Sequence, residues 1–184
     1  MAGRIAGLTS ILLVVTPLLA RAQAADDATD VPWADIQAVL DSPEGGADRQ
    51  VKVVDIGSTN VAVGILHRDA IPANEGATRG IVHTLVTEVY YIVSGSGTLV
   101  TGGPISDRGD TILDGPLHDI LVGPSFTGYS GGSTVRVVSE GDVVVIPGGV
   151  FHGWSEVPDH VTYLSIRPDP EKVLPAGYTN PATQ

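Results

Sequence analysis

Two windows of the chain set imidazole and carboxylate groups among short β-rich runs. In "GDVVVIPGGVFHGW" (141–154), Val143 to Ile146 form a β-branched run, Pro147-Gly148-Gly149 stops it, and His152 follows directly. In "HTLVTEVYYIVSGSG" (83–97), a short spacer joins His83 to Glu88, and Gly95 lies seven residues after Glu88. A histidine at such a place is either a core residue hydrogen-bonded to backbone or a metal ligand. Imidazole and carboxylate from neighbouring strands can converge inside a small barrel on a divalent ion that keeps open coordination positions. A carboxylate buried there without a partner would be costly, which favours ligation by His83, Glu88 and His152 together.

The elements that must position these groups are nearly all strands. After an acidic leader (25–30), "DVPWADIQAVLDS" reads as one short helix. Asp30 is its expected cap, Pro32 suits the first turn, and Trp33, Ile36 and Leu40 form an apolar stripe with Trp33 as packing anchor. Short β-rich runs follow at 51–56, 61–67, 80–86, 88–94 and 97–101, then at 118–123, 133–139, 142–147, 150–155 and 161–167. About ten strands at this spacing, with 23 glycines and 13 prolines, predict an all-β sandwich or barrel of the jelly-roll type carrying a short N-terminal helix. The expected organisation is a leader and helix over 25–49, one barrel over 50–168, and a proline-rich tail over 169–184 that wraps the surface or a neighbouring subunit.

Residues 1–24 have the build of a cleavable secretory signal. Arg4 supplies the positive start, "ILLVVTPLLA" (11–20) the apolar stretch and "AQA" (22–24) the small-residue end, so a periplasmic or secreted protein is expected. There is no cysteine, which rules out disulfides, thiolate chemistry and cysteine-bound zinc. Net charge is −11; without residues 1–24 the basic count falls from 10 to 8 against 21 acids, giving −13. Such a surface repels phosphate backbones, so nucleic acid is excluded as a partner, and no membrane partner is expected after cleavage.

The two windows resemble the paired motifs of the cupin superfamily, written G-x5-H-x-H-x(3,4)-E-x6-G and G-x5-P-x-G-x2-H-x3-N. Gly141, Pro147, Gly149 and His152 match the second, with Glu156 where asparagine is usual. Glu88, Gly95 and His83 match the first, but its first histidine position falls on Ile81 and its leading glycine on Glu75. The resemblance implies a small single-domain cupin barrel that holds one divalent metal (Fe, Mn, Ni or Zn) through His83, Glu88 and His152. It also implies a small-molecule substrate or ligand in the cavity and a homodimer. Two functions follow: a metal-dependent enzyme of oxidation, isomerisation or lyase chemistry, or a non-catalytic small-molecule or metal binding protein of the cell envelope with a degenerate site.

With one ligand replaced by Ile81, a substitute is sought. His67, ending the preceding strand, is the candidate, against the simpler reading of a solvent-facing histidine beside Arg68. Glu156, four residues past His152, is a candidate acid or base by strand alternation, against exposed edge charge. Ile81 and Tyr90 are expected to line the cavity, while His118 and His160, beside Asp119 and Asp159, read as solvated. Residues 96–140 form a long inter-motif segment, from which Phe126 and Tyr129 could close as a lid; a surface elaboration or dimer contact is the alternative.

Overall fold

A computed structural model describes residues 27–184. The signal-like segment 1–24 lies outside the described residues.

Helix α1 spans Trp33–Asp41. Its N-cap is the extended Pro32, with no side-chain hydrogen bond, so Asp30 does not cap it. Trp33 is not the anchor either, being 46 % exposed. Val31, just before the cap, instead joins Ile36, Val39, Val51 and Ile65 in one apolar cluster. This hydrophobic staple holds the helix entry where the tryptophan was expected to do so.

Eight strands follow: β1 (Asp48–Asp55), β2 (Asn60–Ile71), β3 (Thr78–His83), β4 (Glu88–Thr101), β5 (Ser125–Ser130), β6 (Thr134–Ser139), β7 (Val143–Ile146) and β8 (His152–Asp169). All pairings are antiparallel. One sheet runs β1-β2-β8-β4-β7 and the other β5-β3-β8-β4-β6, so the two longest strands belong to both. That sharing curls the two sheets into a jelly roll. The main core cluster, including Tyr90, Ile92, Leu99, Trp154 and Tyr163, fills it.

Several local expectations are corrected. The runs 88–94 and 97–101 form one strand, β4, and 150–155 and 161–167 form one strand, β8, because register shifts let the chain bend without leaving the sheet. The run 118–123 is not a strand but part of a π-helical turn over Leu117–Val122. The segment 125–130, expected as a loop, is β5. Phe126 is therefore no lid. It is buried with Val82, Val100 and Phe151, and the Arg108 guanidinium lies 4.0 Å from its ring centroid. The inter-motif segment covers the edge of β5 through bonds from Ser106 to Tyr129, Gly109 to Thr127 and Ile112 to Ser125. The tail covers the β1 edge in the same way, with Val53 N donating to Tyr178 O and Asn180 N to Val51 O.

Candidate metal centre

β3 ends on His83, β4 begins on Glu88 and β8 begins on His152, so all three side chains meet at one mouth of the barrel. Two features of the backbone hold that mouth together. Gly149, with φ of +84°, makes the turn before β8, and its N–H donates to His83 O at 2.7 Å. At Gly80 a Cβ would lie 2.3 Å from His152 O, so only glycine lets β3 approach β8 this closely. Ile81 is consequently the cross-strand partner of His152.

His83 Nε2 lies 3.3 Å and His152 Nε2 3.2 Å from Glu88 Oε2, and all three residues are buried. The outer ring nitrogens fix the tautomers. His152 Nδ1 lies 3.1 Å from the Val150 carbonyl, which can only accept, so Nδ1 carries the proton. Ser125 Oγ gives its proton to Gly123 O and therefore accepts from His83 Nδ1 at 2.9 Å. With both Nδ1 atoms protonated, it is Nε2 of each ring, on the side of Glu88 Oε2, that is left to offer a lone pair to a cation. Burial holds the His83 pKa below its usual value, against the pull of Glu88, which keeps that ring neutral at pH 7. Burial opposes ionisation of Glu88, but the buried Arg167 guanidinium and the hydrogen bonds its two oxygens accept outweigh it and hold its carboxyl well below the usual carboxylate range. Three electron-pair donors thus converge, their ligand atoms within 4.8 Å of one another. That is a donor set a divalent cation fits.

Glu88 also has a protein partner, contrary to the expectation of an uncompensated carboxylate. Its Oε1 accepts from Ser165 Oγ at 2.7 Å and from Arg167 Nε at 3.1 Å, leaving Oε2 to face the imidazoles. The Tyr90 hydroxyl donates to Oε2 at 2.9 Å, and burial followed by the Glu88 charge raises its pKa, so it keeps its proton. Arg167 is fully buried and continues outward, with Nη2 on both Asp48 oxygens and Nη1 on Gln50 Oε1 and Leu121 O. Sequence reasoning missed Ser165 and Arg167. The available signal was polar residues at every second position of the apolar run "VTYLSIR", where Tyr163, Ser165 and Arg167 share the inward face.

Ile81 and Tyr90 line a cavity of about 270 Å3 that also contains His83, Glu88 and His152. His67 and Glu156 do not line it. On β2 the inward positions are Leu66 and Arg68, so His67 points outward, where its Nδ1 lies 2.8 Å from Thr162 Oγ1 and its ring stacks on His160. Glu156 loses its expected face to a bulge. Trp154 and Glu156 pair with the adjacent residues Leu99 and Thr98, and past this extra residue Val157 takes the buried position. His118 and His160 pair with their neighbouring aspartates, each at 2.7 Å, outside the cluster.

No protein-family model and no curated protein matches the chain. Solved structures do resemble it. A Bacillus halodurans protein superposes with a TM-score of 0.45 at 13 % identity over 84 % of this chain and 90 % of that one. A Klebsiella pneumoniae conserved protein with a double-stranded β-helix domain gives 0.38 at 15 % identity, over 70 % and 77 %. A DMSP lyase of Ruegeria pomeroyi gives 0.40 at 14 % identity, over 77 % and 58 %.

Proposed function

We propose that this chain is an exported cupin-type enzyme that holds one divalent first-row metal through His83, Glu88 and His152 and transforms a small organic molecule in the adjoining cavity. The observation that carries the reading is the convergence of three lone pairs on one point, with both imidazoles oriented by hydrogen bonds from their other nitrogen. Two imidazoles and one carboxylate suit Fe, Mn, Ni or Zn and leave positions open for a substrate. The metal, when bound, supplies Lewis acidity or an oxygen-binding centre for oxidation, isomerisation or lyase chemistry.

The chain's own residues supply the rest. Arg167 and Ser165 occupy Glu88 Oε1 and so present the other oxygen in one orientation. Tyr90 holds a proton beside that oxygen, within reach of a bound molecule that shares the cavity. Ile81 keeps the fourth ligand position apolar.

The test is elemental analysis of mature protein purified without an affinity tag. One equivalent of metal is expected in the wild type and in His118→Ala, and almost none in His152→Ala. Equal metal content in the two variants would defeat the assignment. The same preparation, taken from an exported fraction, should begin near Ala25; an intact Met1 on soluble cytoplasmic protein would refute export.

A further inference from the structure

The charges around the cavity do not balance. Both oxygens of Glu88 are engaged, and both oxygens of Asp48, the other acid on the wall, accept from Arg167. The wall also carries Arg68 and Arg79, and neither forms an ion pair among the described residues, where the arginine pairs are those of Arg167. Arg68 is half-buried. Its Nε donates to Tyr163 Oη at 3.1 Å, which steadies the guanidinium while leaving its Nη donors without a protein acceptor among the described residues. Tyr163 is itself fully buried and accepts from Trp154 Nε1 at 3.3 Å, so the support is rigid. Arg79 stands two residues before Ile81 on β3 and is exposed at the rim.

In a chain with 10 basic residues against 21 acids, two unpaired guanidinium groups on one small cavity make a local field opposite to that of the whole surface. We propose that the cavity binds a small carboxylate, with its anionic end on Arg68, guided in by Arg79, and its carbon skeleton against Ile71, Ile81, Leu117 and Trp154. This inference deepens the proposed function and rests on the same cavity being the working site. The guanidinium fork matches a carboxylate through two parallel hydrogen bonds. A cavity of about 270 Å3 restricts the ligand to a short one, since drug-sized pockets run roughly 300–1,000 Å3. Apolar side walls and a single half-buried guanidinium favour a monoanion over a phosphate dianion, which demands more donors.

The experiment follows melting temperature and calorimetric titration of the mature chain, both chelator-treated and reloaded with Mn(II). The probes are propionate, its neutral isostere propionamide, and inorganic phosphate. Propionate should stabilise the protein, while propionamide should not and phosphate should do so less. Arg68→Gln should weaken propionate at least tenfold, equivalent to ~1.4 kcal/mol, in both metal states while leaving the Mn(II) response intact. Arg79→Gln should weaken it about threefold, as loss of a rim charge does. Should Arg68→Gln fail to fold, Arg68→Lys keeps the charge without the fork and, with Arg79→Gln, must still show the loss. Equal binding of propionate and propionamide, phosphate binding as tight as propionate, or wild-type titrations in the arginine variants would overturn the proposal. A propionate response that depends on Arg68 in a protein without any Mn(II) response would support the carboxylate site and defeat the metal centre; the converse result would do the reverse.

Discussion

Replacing Ile81 with histidine probes the centre most directly. Ile81 faces His152 across the β3–β8 pairing, lines the cavity, and lies two residues before His83 on the same strand face. An imidazole there would be a fourth ligand beside three already in place. In the metal-free protein the exchange removes a half-buried apolar side chain and leaves a polar ring without a partner, a loss of roughly 1–2 kcal/mol. With metal the sign reverses. If the added ligand lowers the dissociation constant a hundredfold, at free metal well above both constants, the folded state gains about 2.7 kcal/mol from mass action. At roughly 2–4 °C per kcal/mol for a chain of this size, the metal-induced rise in melting temperature should exceed that of the wild type by about 5–10 °C. The assay is a melting series of both proteins, stripped and then titrated with Fe(II), Mn(II), Ni(II) and Zn(II). A metal-induced rise no larger in Ile81→His than in the wild type would refute the placement of residue 81 at a ligand position. No response from either protein would refute the metal centre.

Two further outcomes are expected. Arg167→Met leaves the buried Glu88 and the Asp48 carboxylate uncompensated, and should destabilise the protein by about 3–5 kcal/mol at neutral pH in chemical denaturation. The part owed to Glu88 is present above its unfolded pKa and lost as acidification takes the pH through its depressed folded value, so the gap between variant and wild type should narrow in acid; an unchanged midpoint at pH 7 would contradict the network. Val143 and Val145 on β7, 60 % and 62 % exposed, stand beside the 45 % exposed Tyr91 of β4 as an apolar face suited to a second copy of the chain. Light scattering at tens of micromolar should show a dimer for the wild type and a monomer for Val145→Asp, and a monomeric wild type would remove that role.

The jelly-roll class and the chain positions of the three converging residues were legible before any contact was known. Both are written in local order: β-branched runs broken by glycine and proline, a glycine turn before His152, and a short spacer between His83 and Glu88. What it could not convey was where each strand ends or which side a residue faces once a bulge intervenes. Alternation alone puts Glu156 on the face of His152, but the extra residue opposite Thr98 and Leu99 turns it away. The same kind of limit hid the run 118–123, whose apolar pattern is that of a strand but which forms a π-helical turn, its Leu121 carbonyl accepting from Arg167 and its Leu117 facing the cavity. The partners of Glu88 were likewise decided only by tertiary structure, because Ser165 and Arg167 lie 77 and 79 residues away and reach it through the β4–β8 pairing. Spacing along a strand is a local property, whereas the charge that a buried carboxylate meets is set by whichever strand the sheet brings alongside.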